Sequence, residues 1–485
     1  MVNSIQYFME EGVKNLERIF VDYAQDMTKF AEMIYGITEE LHDLGCRLIA
    51  EELKMYDDWL RGSALRKRYY EIVRRDETSL LTSIGTVRYK KTLFKDKTSS
   101  ERIYLLDKAM QLAPHTRISE DGKARILEEA VQSSYRRGGE NVSVGSELVT
   151  KQTVMKLIHS LKFPKNEITG EKKHMEYLYI DADEDHVSLQ YLDKKGDIGK
   201  RRRINTLMPR LIYVYEGIEI KAGKRCLINA RYFGGNYEGT EGIKELWGEV
   251  DRYIRESYDE ERLKRVYING DGASWIKSGK DYIYKSKFVL DKYHLNKYII
   301  AASAHLKDST QDARNELYRA LYKRDKSLME ETFDKIINAT DSGSKYETVI
   351  AAREYILGNW QSILTGLKSK DDNLECSAEG HISHIYADRM SSRPLGWSRV
   401  GADKMARLRV YRQNKGEMLK LVRFQYEPVL KAAGAEEVIY SASEMIAMEN
   451  RNKNRLGGLA DIPTYTIPYP QVKKIAYFKD HIWGL

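Results

Sequence analysis

The sequence predicts an α/β protein: a mixed β-sheet core with helices on its faces, followed by an all-helical insertion and preceded by a mainly helical N-terminal region. Two observations carry this expectation. From 177 onward come three β-rich runs, "YLYIDADEDHVSLQYL", "RLIYVYEGIEI" and "KRCLINARYFGG", then a helix-like "GIKELWGEVDRYIRESY", then "RVYINGDGA" and "KFVLDKYHL". A β-β-β-α-β-α-β order of this kind requires a sheet of mixed direction with helices packed on it. From about 298 to 370, Val349, Ala352, Ile356, Trp360 and Ile363 recur at helical spacing, as do Leu317 and Leu321.

The chain has 485 residues, 42% of them hydrophobic, enough for a large core and two to four structural units. The expected divisions are 1–60, 61–165, 175–298, 299–370, 371–425 and a C-terminal tail at 426–485. Formal net charge is +8, from 80 basic and 72 acidic residues, which permits a polyanionic partner without requiring one. Between Arg61 and Lys97 there are eleven Lys or Arg and four Asp or Glu. That surplus of seven makes this segment a candidate phosphate-facing surface. Three widely spaced cysteines form no disulfide framework and suit a reducing compartment. The N-terminus carries acids where a targeting segment would be basic, and no window approaches ~18 consecutive apolar residues. A cytoplasmic protein with no membrane span is expected.

Within 1–60, Met9, Val13, Leu16, Phe20, Tyr23, Met27, Phe30, Ile34, Ile37, Leu41, Leu44 and Leu48 alternate steps of four and three. This heptad seam fits one long helix that dimerises, or two amphipathic helices broken near Gly36 or Gly45. "IGTVRYKKTLFK" (84–95) alternates like a half-exposed strand or hairpin. Residues 119–139 and 146–163 read as two helices around a Gly-Gly turn. In a helix-turn-helix the second would enter the major groove, with Lys151, Gln152 and Lys156 on its reading face.

The acids pose a sharper question. "YIDADEDHVSLQY" (179–191) places Asp181, Asp183, Glu184 and Asp185 in a strand-like run, although clustered carboxylates repel and strands are poor in Asp. A divalent cation relieves such repulsion. Asp271 stands between two glycines where a second apolar run ends, the edge at which open α/β sheets bind ligands; as a turn, Asn-Gly-Asp-Gly would also suffice. Glu379, beyond the helical insertion, supplies a third carboxylate, and two Asp with one Glu make a hard-oxygen set suited to Mg²⁺ or Mn²⁺. Two such ions can activate a hydroxyl and stabilise a leaving oxygen.

"YIDADEDHVSLQ", "INGDGASWIK", "VLDKYHLNKY" and "CSAEGHISHIYADRMSSRPLGWS", in that order, resemble the ISLre family of bacterial insertion-sequence transposases; "TVRYKKTLF" and "YLLDKAMQL" extend the resemblance over most of the chain. The resemblance implies an RNase H-like core of the DDE type. It also implies Mg²⁺-dependent DNA cleavage at an element's terminal inverted repeats, with transfer of the freed 3′-hydroxyl into target DNA, and a dimer or higher oligomer. By motif, Asp271 is the second acid and Glu379 the third; the first is Asp183, with Asp181 as the alternative, and metal would be held by Asp183, Asp271 and Glu379. Spacings of 88 residues (271 minus 183) and 108 residues (379 minus 271) accommodate the intervening elements. The rival function is a catalytically inactive DNA-binding descendant.

Other candidates have plainer readings beside them. His294 could contact the scissile phosphate or cap a helix. Arg201, Arg202 and Arg203 could grip DNA or be a solvated loop. Arg389 and Arg393 could neutralise phosphate, and Trp397 could stack on a base or fill the core. Cys376, His381 and His384 with Glu379 resemble a zinc set but lack standard spacing.

Overall fold

The computed structural model describes residues 3–142, 148–165, 170–192, 194–198, 205–341, 343–369, 372–392 and 395–426. They fall into two compact units, Met1–Lys156 with Met418–Leu485, and Leu157–Glu417.

In the first unit the heptad seam is a helical hairpin. Helix α1 (Val13–Gln25) stops at Asp26, whose carboxylate accepts the Thr28 N–H at 3.1 Å, and α2 (Phe30–Gly62) runs back along it. Asn15 donates to Glu40 across the pair at 2.8 Å. The expected breaks at Gly36 and Gly45 do not occur, since both lie inside α2. Gly36 instead permits close approach: a Cβ there would sit 2.8 Å from Ile19 Cδ1. The periodicity misses the true break because Tyr23 before it, Met27 within it and Phe30 after it keep the steps of four and three.

Strands β1 (Tyr70–Thr82) and β2 (Gly85–Asp96) form a long antiparallel ribbon, extended by β3 (Arg102–Tyr104). Leu60 of α2 packs with Leu80, Val87, Tyr89 and Leu106 into its core. Buried Asp57 accepts from the Thr92 N–H at 2.8 Å and the Thr92 hydroxyl at 2.7 Å. The sequence reading found β2 but not its partner, whose "EIVRRDE" start is too charged to read as a strand.

Helices α3 (Glu120–Ala130), α4 (Tyr135–Glu140) and α5 (Lys151–His159) follow. The predicted Gly-Gly turn is wrong. Gly138 and Gly139 are buried inside α4, where a Cβ on Gly139 would lie 2.0 Å from the Val149 carbonyl oxygen. The glycines serve helix contact, not chain reversal.

The second unit is built on a five-stranded mixed sheet. Its strands are β4 (Tyr177–Glu184), β5 (Arg210–Tyr215), β8 (Arg231–Gly235), β9 (Arg265–Gly270) and β10 (Ser286–Leu290), in the order β8-β5-β4-β9-β10. β5 runs antiparallel to both its neighbours, β8 and β4, and β9 and β10 run parallel to β4. Two of the β-rich runs are each divided, because β6 (Gly217–Lys221) and β7 (Lys224–Ile228) form a separate hairpin. The run that was to continue to Leu192 leaves the sheet after Glu184.

Alternation gives the sheet two unlike faces. Leu178, Ile180, Ala182, Ile212, Val214, Val266 and Ile268 share an apolar core with Leu246, Trp247, Val250 and Ile254 of α6 (Gly239–Ser257). The other face carries Tyr179, Asp181, Asp183, Tyr213, Tyr215, Tyr267 and Asn269. After β10 come α7 (Lys292–Ser303), α8 (Thr310–Lys323), α9 (Lys326–Asn338), α10 (Ser344–Gly358) and α11 (Trp360–Lys368). All seven apolar positions that suggested this insertion are buried. The chain then returns to the sheet through α12 (Ala378–Ile382) and α13 (Arg399–Gln413). Among the described residues no helix is long and apolar enough to cross a membrane.

Candidate functional site

Parallel pairing of β4 with β9 sets Tyr179 beside Tyr267 and Asp181 beside Asn269. Two residues further along both chains, on the same face, this register brings Asp183 level with Asp271. The offset of 88 residues is thus a sheet register as well as a sequence spacing. Gly272, with φ of +90°, turns the chain just after β9, and Asp271 Oδ1 accepts the Ala273 N–H at 2.9 Å. The Asp271 carbonyl is held by the Tyr355 hydroxyl, reaching over from α10. Tyr355 itself stacks on Tyr298 with ring centroids 3.8 Å apart.

Glu379 lies exposed in the first turn of α12. Gly380 and His381 belong to the same helix.

Asp183 is buried, and its carboxyl is pushed up to about 7, by desolvation above all and then by the negative charges of Asp271 and Glu379. His294 opposes this shift. The imidazole is half-buried in the first turn of α7; its Nδ1 lies 3.0 Å from Asp291 Oδ2, while Asp291 Oδ1 caps the helix through the Tyr293 N–H. Asp291 is therefore the cap, not His294. The bond to Asp291 raises the His294 pKa despite burial, and the Asp271 and Asp183 charges add to it.

The other acids of "DADED" have different surroundings. Asp181 is fully buried and both its oxygens are taken. Oδ1 accepts from Asn269 Nδ2 at 2.9 Å and from the Tyr215 hydroxyl at 3.3 Å; Oδ2 accepts from the Tyr213 hydroxyl at 2.8 Å and the Ser377 N–H at 2.9 Å. This corrects the alternative that Asp181 is the first acid, since no lone pair faces open space. Glu184 points away and lies 3.9 Å from Arg210. Asp185 uses Oδ1 for the His186 N–H and the Ser391 hydroxyl, whereas its Oδ2 is buried and unpartnered.

The remaining candidates divide. Lys151, Gln152 and Lys156 are exposed on α5, opposite buried Val154 and Ile158. Arg389 is corrected: it is 8% exposed with its guanidinium 4.9 Å over the Trp397 ring, so it cannot meet DNA from the surface. Trp397 is a core residue whose Nε1 donates to the Met390 carbonyl at 3.0 Å. Arg201, Arg202, Arg203 and Arg393 lie outside the described residues. The zinc set does not assemble: among the described residues Cys376, His381, His384 and Glu379 form no group that could hold a metal ion, and His381 Nδ1 lies 3.0 Å from the Ser377 carbonyl. Sequence reading missed Tyr355, Asn269 and Ser377 altogether; only Asn269, in phase with Asp271, left a signal in the pattern.

Among the described residues no group of three or more His, Cys, Asp or Glu side chains is gathered closely enough to hold a metal ion as it stands. The charges of Asp271 and Glu379 nevertheless both act on Asp183, and all three side chains offer hard oxygen. The negative field on Asp183 is of the kind that a divalent cation neutralises. In donor chemistry and charge the set fits Mg²⁺ or Mn²⁺.

Residues 23–426 match the family described as "Uncharacterised protein family (UPF0236)". The chain belongs to the UPF0236 family. Its relatives include UPF0236 protein TTE2489 of Caldanaerobacter subterraneus subsp. tengcongensis, 37% identical over 85% of this chain and 84% of the relative. Another from the same organism, 36% identical over 84% of this chain and 82% of the relative, bears a name joining eleven loci, from TTE0033 to TTE2212. Similarity to a solved structure, the Drosophila P element transposase strand transfer complex, is slight. It has a TM-score of 0.23 and 12% identity, over 69% of this chain and 90% of that one. That likeness is too weak to argue from.

Proposed function

We propose that this UPF0236 protein is a DDE transposase of the ISLre type, with an RNase H-like core. It would bind the terminal inverted repeats of an insertion sequence, then cut and rejoin DNA with divalent metal. The observation that carries the reading is that the Asp271 and Glu379 charges both act on buried Asp183, Asp271 just past the end of a strand paired in parallel with the Asp183 strand and Glu379 from beyond a helical insertion. The order β8-β5-β4-β9-β10, three antiparallel strands followed by two parallel ones, is that expected of an RNase H-like core. Eleven loci sharing one family sequence in a relative's genome are what a self-copying element leaves behind.

Asp183, Asp271 and Glu379 would hold Mg²⁺ or Mn²⁺. When bound, the metal would supply Lewis-acid activation of the attacking hydroxyl and stabilisation of the leaving oxygen. The chain's own part is to bring carboxylates together despite their repulsion and to keep Asp271 fixed through the Gly272 turn and the Tyr355 hydroxyl. His294, whose pKa is raised by its bond to Asp291, would offer positive charge toward a phosphodiester and a proton for its leaving oxygen when protonated. DNA would be engaged by the exposed face of α5 and by the basic segment from Arg61 to Lys97.

The test uses the full-length protein, Mg²⁺ or Mn²⁺, and duplex DNA carrying the inverted repeats that flank the gene. Metal-dependent nicking at the repeat ends is expected, and Asp271→Ala should abolish it while leaving end binding intact. Undiminished cleavage by that variant would remove Asp271 from the site. Binding without cleavage by the wild type would favour the inactive DNA-binding descendant.

A further inference from the structure

Asp181 stands apart from the Asp183, Asp271 and Glu379 set, and a buried carboxylate with no charged partner carries a large desolvation cost. Its four donors show what offsets that cost. Three belong to the sheet, the Tyr213 and Tyr215 hydroxyls and Asn269 Nδ2; the fourth is the backbone N–H of Ser377, two residues before Glu379. The Ser377 hydroxyl reinforces the bond, 3.3 Å from Asp181 Oδ2 and 2.8 Å from the Tyr213 hydroxyl.

Two further bonds stitch the same segment to the same face. The Tyr179 hydroxyl donates to the Asp372 carbonyl at 2.9 Å, and Asn373 Nδ2 donates to Asn269 Oδ1 at 2.9 Å. His381 then lies against Tyr213, ring centroids 4.4 Å apart. Between Leu290 and this segment the chain runs through the helical insertion, whose α11 packs on β10 and whose Tyr355 bonds the Asp271 carbonyl. After so long an excursion nothing in the local sequence fixes where the third acid lands, because loop closure constrains the ends of a long segment only weakly.

We propose that Asp181 is the positioning residue for Glu379: a buried carboxylate that receives the Ser377 N–H and so fixes the start of α12 one row behind Asp183. This rests on the reading of Glu379 as the third acid. The sequence keeps two aspartates in phase on one strand, the first to place a distant acid and the second to join it.

The experiment compares full-length wild type, Asp181→Ala, Asp181→Asn and Asp183→Asn by hydrogen exchange and by cleavage against Mg²⁺ concentration. In Asp181→Ala, amides of 376–382 should exchange at least tenfold faster while those of β4, β5 and β9 keep their protection. The Mg²⁺ concentration for half-maximal cleavage should rise about tenfold, with DNA affinity within twofold of wild type. Asp181→Asn, whose amide oxygen still accepts the Ser377 N–H, should restore most of both properties. Uniformly faster exchange across the sheet with an unchanged Mg²⁺ midpoint would show a general packing role and overturn the proposal. If the wild type does not cleave DNA, the transposase reading fails by itself. The exchange data still decide whether Asp181 holds this segment, and unchanged protection at 376–382 in Asp181→Ala would refute it.

Discussion

Asp181 and Asp183 stand two residues apart on one face of one strand, yet their surroundings differ completely. In the Asp181 row, Asn269, Tyr213, Tyr215 and Ser377 surround the carboxylate with donors and leave it no free lone pair. In the Asp183 row the neighbours that raise its pKa are carboxylates, Asp271 and Glu379, and its one hydrogen-bond donor is the Glu184 N–H at 2.8 Å. A donor-filled acid is structural; an acid facing other acids asks for a cation or a proton. The same residue type thus takes opposite roles according to the strand beside it.

The sharpest way to break that contrast is Asp183→Asn. Cleavage should fall by about a thousandfold or more, as expected when a group needed in the transition state is removed. Folding should improve, because the Asp183 carboxyl, raised to about 7, favours the protonated form in the fold. Its contribution to stability is intact below about pH 4 and is lost as pH rises toward 7. At pH 8 the cost of ionising it is roughly 2–4 kcal/mol. Metal-free Asp183→Asn should therefore melt about 4–10 °C above wild type at pH 8, with the gap closing toward pH 4. Calorimetry at several pH values checks this, and a gap independent of pH would mean that neither burial nor the neighbouring carboxylates raise the Asp183 pKa. Saturating Mg²⁺ should raise the wild-type Tm at pH 8 and leave the variant nearly unmoved.

A smaller effect separates DNA binding from chemistry. Replacing Lys151, Gln152 and Lys156 with Ala should weaken DNA binding about tenfold. It should also reduce the slope of log affinity against log salt by about 2, since two charges are lost. Fluorescence anisotropy across a salt series measures both, and an unchanged slope would move binding from α5 to the basic ribbon. The smallest effect concerns Asp271. Tyr355→Phe removes the hydroxyl that holds its carbonyl, a bond contributing about 1 kcal/mol. Cleavage should drop about threefold to tenfold with affinity unchanged, and no change in single-turnover rate would show that the Gly272 turn alone fixes Asp271.

What could be read in advance followed from local periodicity. The strand order, the helical insertion and the same-face phase of Asp181 and Asp183 are properties of short windows, because alternation and helical spacing are local. Errors arose where one residue serves a distant contact. Gly138 and Gly139 look like a turn until Val149 is seen against them, and Arg389 looks like a phosphate ligand until Trp397 lies beneath it. The ribbon strand "EIVRRDETSLLT" was hidden because its outward charges mask the alternation.

By itself, then, the sequence determined membership of the UPF0236 family, the mixed α/β architecture and a short list of acids, all properties that pattern and chain order encode. Only the tertiary structure sorted those acids. Whether an aspartate is surrounded by donors or by other carboxylates depends on residues 30 to 200 positions away, Tyr213, Asn269, Asp271 and Ser377, which the sheet register and the return of the chain after α11 bring to it.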